Sequence, residues 1–335
     1  MIWLKFVLCL GIILFAGTKL ARYGDAIAEK TKLGRIWIGL VLIAVVTTMP
    51  EMVTSVSSVA LVRSPDLALG TLLGSCGFNL TILALLDVLH SRTPVLTAAS
   101  PRHAAIGGWG ALLIAVAAAG IIVGRRYPFF DSGWLGIPSI VMVILYLLGM
   151  WWIFRRERGQ RSQAAPPAEL QYDSLTTGSV WLRFGLAAAA VIAAGIWLSF
   201  IGDEISTTTG WGGTFVGTLF LAVATSAPEL VVAIAAVRMG AVDLAVADIL
   251  GANMLNMAMI APVDLAHGRG FVLASVSSGH LIVATVAVVM SLVVIGGLRF
   301  PQRRKILKVA SWYAPVLVIL YIVGAYVLFN SGANL

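Results

Sequence analysis

A short polar motif occurs twice in this otherwise apolar chain. VVTTMPE at residues 45–51 returns as VATSAPE at 223–229, with Thr, Pro and Glu in the same order. Glu51 is followed by Asp66-Leu67-Ala68, Gly74 and Asn79, and Glu229 by Asp243-Leu244-Ala245, Gly251 and Asn256. The offset is 178 at the glutamates (229 − 51) and 177 beyond them (243 − 66), so one residue is lost in the intervening turn. Asp87, His90, Arg92 and His103 match Asp264, His267, Arg269 and His280 at the same offset of 177, which places all four histidines of the chain in repeat-related pairs. Self-similarity at a fixed spacing marks a duplicated structural unit.

The residues around the motifs define the solvent. Of the 335 residues 59% are hydrophobic and only 11% charged, with a mean hydropathy of +0.96, the composition of a polytopic membrane protein. A spanning helix needs about 20 mainly apolar residues. The sequence offers ten such stretches, near 3–21, 36–62, 67–89, 103–124, 133–154, 180–201, 212–238, 243–266, 273–298 and 309–329. The expected fold is therefore an all-α membrane protein of ten transmembrane helices. The first stretch lacks a small-residue cleavage site and is read as a retained helix. Cys9 and Cys76 lie inside spans and supply no disulfide framework.

The formal net charge of +8 is a matter of placement rather than of nucleic-acid binding. With the N-terminus outside, sixteen Lys and Arg fall on the inner side and five on the outer, which predicts both termini on the non-cytoplasmic side. The polar run from Arg155 to Ser174 reads as a linker. The expected organisation is a first five-helix repeat at 1–154, a cytoplasmic linker at 155–178 and a second repeat at 179–335. Five is odd, so the second repeat enters the membrane inverted, with broken helices 2 and 7 facing each other near the bilayer midplane.

Pro50 and Pro228 have no N–H and crowd the carbonyls of Val46 and Ala224, freeing backbone oxygens. Interrupted backbone at that depth is tolerated only inside protein or along a wet cavity. A carboxylate there costs roughly 2.5–3.5 kcal/mol on insertion scales, so Glu51 and Glu229 call for a compensating charge. Carboxylate, carbonyl, hydroxyl and amide oxygens suit hard cations, and two glutamates balance one Ca²⁺ or two Na⁺. Thr71, Ser75 and Asn79 share one helical stripe, as do Asp248, Ala252 and Asn256. Asp248 adds a third carboxylate, either a supplementary ligand or a gating and proton-handling group.

TTMPE followed by GTLLGSCGFN, and TSAPE followed by ADILGANMLN, resemble the two alpha repeats of the calcium/cation antiporter superfamily, sodium/calcium exchanger type. The resemblance covers essentially the whole chain. It implies exchange of Ca²⁺ for monovalent cations, with Thr47, Thr48, Glu51, Ser75 and Asn79 of the first repeat and Thr225, Ser226, Glu229 and Asn256 of the second as ion ligands. Three positions depart from the pattern: Val46 and Ala224 replace the glycine before the motif threonine, Ala252 replaces a serine, and Asn256 stands where many exchangers carry aspartate.

Plainer roles exist for several of these residues: interhelical bonding for Asn79 and Asn256, and helix capping for Asp87 with His90 and Asp264 with His267. The leading expectation is a Ca²⁺/Na⁺ antiporter of the cell membrane working by alternating access. H⁺ coupling and, less favoured, a passive cation channel are the alternatives. No HExxH or GxSxG motif points to an enzyme, no cofactor or nucleic acid is expected, and a monomer in the lipid bilayer is consistent with the sequence.

Overall fold

The computed structural model describes residues 1–31, 44–90, 93–126, 135–158, 176–268, 270–302, 305 and 309–332. Among them the chain is helical with no strand. Backbone groups in hydrocarbon have no water to bond, and a helix satisfies them within one segment. The helices are α1 (Ile2–Thr31), α2 (Ala44–Thr47), α3 (Met49–Ala60), α4 (Pro65–Leu89), α5 (Val95–Ala98), α6 (His103–Arg126), α7 (Ile137–Arg158) and α8 (Thr177–Thr209). They continue with α9 (Gly213–Thr225), α10 (Ala227–Arg238), α11 (Val242–His267, interrupted at Met259), α12 (Gly279–Arg299) and α13 (Tyr313–Gly332).

Among the described residues eight helices are long and apolar enough to cross a membrane, and α9 with α10, bent by 44°, makes a ninth. The expected span 36–62 is described only from Ala44, as α2 and α3; its beginning and the linker residues 159–175 lie outside the described residues. So do eight of the cations used to assign sidedness: Lys32, Arg35, Arg92, Arg161, Arg269, Arg303, Arg304 and Lys308.

Two helices start later than their apolar runs. The span expected at 273–298 begins as α12 at Gly279, because Asp264 takes the N–H of Val272 (2.6 Å) and Asp66 that of Ser277 (2.7 Å). The span expected at 309–329 begins as α13 at Tyr313, because Asp87 takes the N–H of Ser311 (2.7 Å). Carboxylates near the helix ends thus hold the connecting turns.

The most enclosed spans are α4 and α11, with 72% and 83% of their apolar stretch buried, against 22% for α7 and 17% for α13. Glycines allow that enclosure. A Cβ on Gly74 would stand 2.4 Å from the carbonyl oxygen of Thr218, and one on Gly217 would stand 2.7 Å from that of Leu67. Here α4 meets α9 backbone to backbone, as small residues permit in membranes. The contact falls on a π-helical turn in α9, Gly217–Leu221, which the apolar pattern did not announce.

Several polar contacts are made twice by repeat-related residues. Asp66 accepts from Ser277 N–H and lies 3.0 Å from His280 Nε2; Asp243 accepts from Ser100 N–H (2.6 Å) and lies 2.8 Å from His103 Nε2. Asp87 accepts from Val95 N–H (2.9 Å), and Asp264 from Val272 N–H. Asp87 also receives the Ser311 hydroxyl (3.0 Å) and the Tyr313 hydroxyl (2.5 Å), and Asp264 the N–H of Gly136 (2.6 Å). Asp87 and Asp264 are therefore capping groups. His90 and His267 bond elsewhere, to Thr93 O and to Ser275 Oγ.

Gly74→Ala is expected to lose about 1–3 kcal/mol by overpacking against the Thr218 backbone. Gly108→Ala, whose added methyl meets nothing within 4 Å, is expected to stay near wild type. Thermal unfolding of the two variants in detergent measures the difference.

Candidate functional site

Each repeated motif holds a helix break of the same shape. Between α2 and α3, Thr48 has φ −81° and ψ 2°; between α9 and α10, Ser226 has φ −85° and ψ 8°. Pro50 and Pro228 are the second residues of α3 and α10, where the N–H that proline lacks would have no intrahelical partner. The proline thus starts a new helix rather than kinking a continuous one. Glu51 and Glu229 consequently sit in the first turns of α3 and α10, at the positive ends of those helices.

Thr48-x-x-Glu51 and Ser226-x-x-Glu229 have the sequence of a capping box, yet neither Thr48 nor Ser226 caps its helix with its side chain. Ser226 instead donates to Glu51 Oε1 across the halves (2.7 Å), and Ser75 on α4 approaches the same oxygen at 3.4 Å. Glu229 interacts electrostatically with both Glu51 and Asp248. The site thus draws on both motifs, α4 and α11. Among the described residues no three Asp, Glu, His or Cys side chains converge as a ready metal cluster. The donor set is mixed oxygen rather than a carboxylate cage.

All ten candidate residues are buried: nine are fully buried, and Asp248 is 3% exposed. Thr47 and Thr48 lie at the first break, while Thr225 at the second gives its hydroxyl to Ala222 O (3.2 Å). Thr71 donates to Leu67 O (2.8 Å), so its hydroxyl is spent on its own helix. The first-half stripe then presents Ser75 and Asn79, and the second presents Asp248 and Asn256.

Seven acceptor oxygens in this group are buried without a hydrogen-bond donor: Oε2 of Glu51, both of Glu229, both of Asp248, and the amide oxygens of Asn79 and Asn256. An unpaired buried amide or hydroxyl costs several kcal/mol and an unpaired ion far more. Native interiors rarely carry such groups unless something else satisfies them.

Sequence reasoning missed Asn253. Its Oδ1 accepts from Asn79 Nδ2 (3.0 Å) and its Nδ2 donates to Cys76 O (3.1 Å), while Cys76 Sγ lies 3.7 Å from Asn253 O. The offset of 177 pairs Asn253 with Cys76, so these two positions bond to each other. The clue was present in that alignment, but a thiol opposite an amide does not read as a repeat.

Many apolar helices around buried, unsatisfied carboxylates define an integral multi-pass membrane protein of the transporter class. The chain belongs to the sodium/calcium exchanger family, whose pattern it matches over residues 1–155 and 179–330. It is accordingly an antiporter of the calcium/cation type. It is 27% identical over 230 residues to the inner membrane protein YrbG of Escherichia coli (strain K12), covering 67% of this chain and 66% of that one. Its fold is similar to that of the H⁺/Ca²⁺ exchanger CAX, with a TM-score of 0.70, 15% identity, and 99% of this chain and 85% of the other covered. It is also similar to the sodium-calcium exchanger NCX_Mj, with a TM-score of 0.59, 16% identity and 95% of each chain covered.

Asn253→Leu removes the group that orients the Asn79 amide while keeping the helix apolar. Loss of such an orienting partner costs about 10- to 100-fold in cation affinity. Calorimetric titration with Ca²⁺ is expected to show a weakening in that range.

Proposed function

We propose that the chain exchanges Ca²⁺ for Na⁺ by alternating access, binding ions near the bilayer midplane between two inverted five-helix repeats, residues 1–154 and 179–335. Glu51 and Glu229 carry the charge that a divalent cation neutralises. Asn79, Asn256, Ser75, Thr47, Thr48, Thr225 and Ser226 add neutral oxygens, as Ca²⁺ with its tolerance for six to eight ligands requires. The observation that carries this reading is the set of buried carboxylate and amide oxygens without donors. The twice-made contacts of Asp66 and Asp243 support the two-repeat organisation. With ten spans and the inner excess of Lys and Arg, both termini lie on the non-cytoplasmic side.

A second reading, H⁺ as the coupling ion, is favoured by one residue. Asp248 keeps both oxygens donor-free and buried, interacts with Glu229 and stands two helical turns from Asn256. A carboxyl in that position adds a third negative charge when ionised and removes it by taking a proton, without any change of ligand geometry.

Proteoliposomes loaded with Na⁺ and diluted into Ca²⁺ distinguish the readings. Sodium coupling predicts uptake that collapses without the Na⁺ gradient and persists at equal pH; proton coupling predicts the reverse. Uptake at channel-like rates with no gradient of either would overturn exchange. Glu51→Gln and Glu229→Gln are each expected to abolish transport. Asp248→Asn is expected to flatten the pH dependence of transport under proton coupling and to leave it unchanged under sodium coupling.

A further inference from the structure

We infer that the outward groove between α1 and α8 is a seat for an anionic phospholipid, with Lys19 and Arg183 holding its phosphate. The groove encloses about 670 Å³ and is apolar along most of its length, with Gly11, Phe15, Leu186 and Ala190 on its walls. Along α1 it runs from Val7 to Tyr23, about 24 Å at 1.5 Å per residue. One leaflet of hydrocarbon is about 15 Å deep, half the bilayer core, so the groove spans an acyl chain from headgroup level past the midplane.

Charge singles out one end. Lys19 and Arg183 both line the groove, Lys19 from the wall of α1 and Arg183 from that of α8, and Tyr23 lies with them. Trp181, exposed and two residues from Arg183, marks this end as the level of the membrane interface. Toward the other end of the same two helices a cation meets an anion: Lys5 on α1 lies 2.8 Å from Glu204 on α8. Among the described residues no carboxylate pairs with Lys19 or Arg183, and Lys19 turns back over the Phe15 ring at 5.5 Å.

Two like charges on the walls of one apolar slot repel unless an anion lies between them, and the low dielectric strengthens both effects. Long cationic side chains near helix ends reach toward the interface, where a phosphate is the anion at hand. An apolar slot closed at one end by two cations has the chemistry of a phospholipid: acyl chain along the wall, phosphate at the rim. A zwitterionic lipid brings its own cation to the same place and fits less well.

Native mass spectrometry of the full chain, released from nanodiscs of equal phosphatidylglycerol and phosphatidylcholine, tests the assignment. Wild type is expected to retain phosphatidylglycerol several-fold over phosphatidylcholine. Lys19→Gln with Arg183→Gln is expected to bring the ratio to about one, and the charge-keeping pair Lys19→Arg with Arg183→Lys is expected to preserve it. Gly11→Leu, whose Cβ would meet nothing within 4 Å, narrows the groove and is expected to reduce retention of both lipids. Arg155→Gln with Arg156→Gln removes cations that lie over Trp151 and Trp152 outside the groove, and is expected to keep the wild-type ratio. A wild-type ratio in the Lys19 and Arg183 double Gln variant, or an equal loss in the Arg155 and Arg156 variant, would overturn the proposal. Displacement of the retained lipid by inorganic phosphate alone would also overturn it, since the rim would then bind without the groove.

Discussion

An acidic oxygen held in a membrane without a donor is the costliest group this chain contains, and the rest of the structure is arranged around tolerating it. Glu51 has one such oxygen, Glu229 two and Asp248 two. Each lies on a helix that is broken, enclosed or both. The breaks at Thr48 and Ser226 set Glu51 and Glu229 at helix N-termini, where unpaired N–H groups favour negative charge. Glycines at 70, 74 and 217 bring α4 and α9 together at backbone distance, which excludes lipid from the region.

Four other acids behave differently. Asp66, Asp87, Asp243 and Asp264 all accept backbone N–H groups from loops that cross from one helix to another. Those carboxylates are satisfied by the protein itself and act as brackets. The contrast separates two settings of the same functional group: four acids close turns, and three keep buried oxygens that no donor reaches. Position along the helix decides between them, since the bracketing acids sit near span ends and the donor-free acids deeper in the spans.

Most of the architecture follows from patterns visible in a single sequence, because hydrocarbon leaves the backbone few options. Apolar runs of sufficient length become helices, and two matched T-[ST]-x-P-E motifs become matched breaks. What composition hides is where a helix yields to a capping acid. The late starts of α12 and α13 come from Asp264, Asp66 and Asp87 reaching distant N–H groups, contacts between residues up to 224 positions apart. The π turn in α9 is hidden for a related reason: it accommodates the approach of α4, and residues 217–221 alone carry no sign of that neighbour. At the site, the motif residues were visible because intramembrane polarity is rare. Asn253 was not, because its value lies in whom it meets.

The pair formed by Cys76 and Asn253 joins the two motif-bearing regions of the chain through unlike side chains. These two positions correspond by the sequence offset of 177 and bond to each other. A thiol on one side and an amide on the other, like Ser75 against Ala252 and Thr71 against Asp248, give matched positions different chemistry. The two motif regions therefore meet as unlike surfaces, and a substitution on one side is not mirrored by the same substitution at its counterpart.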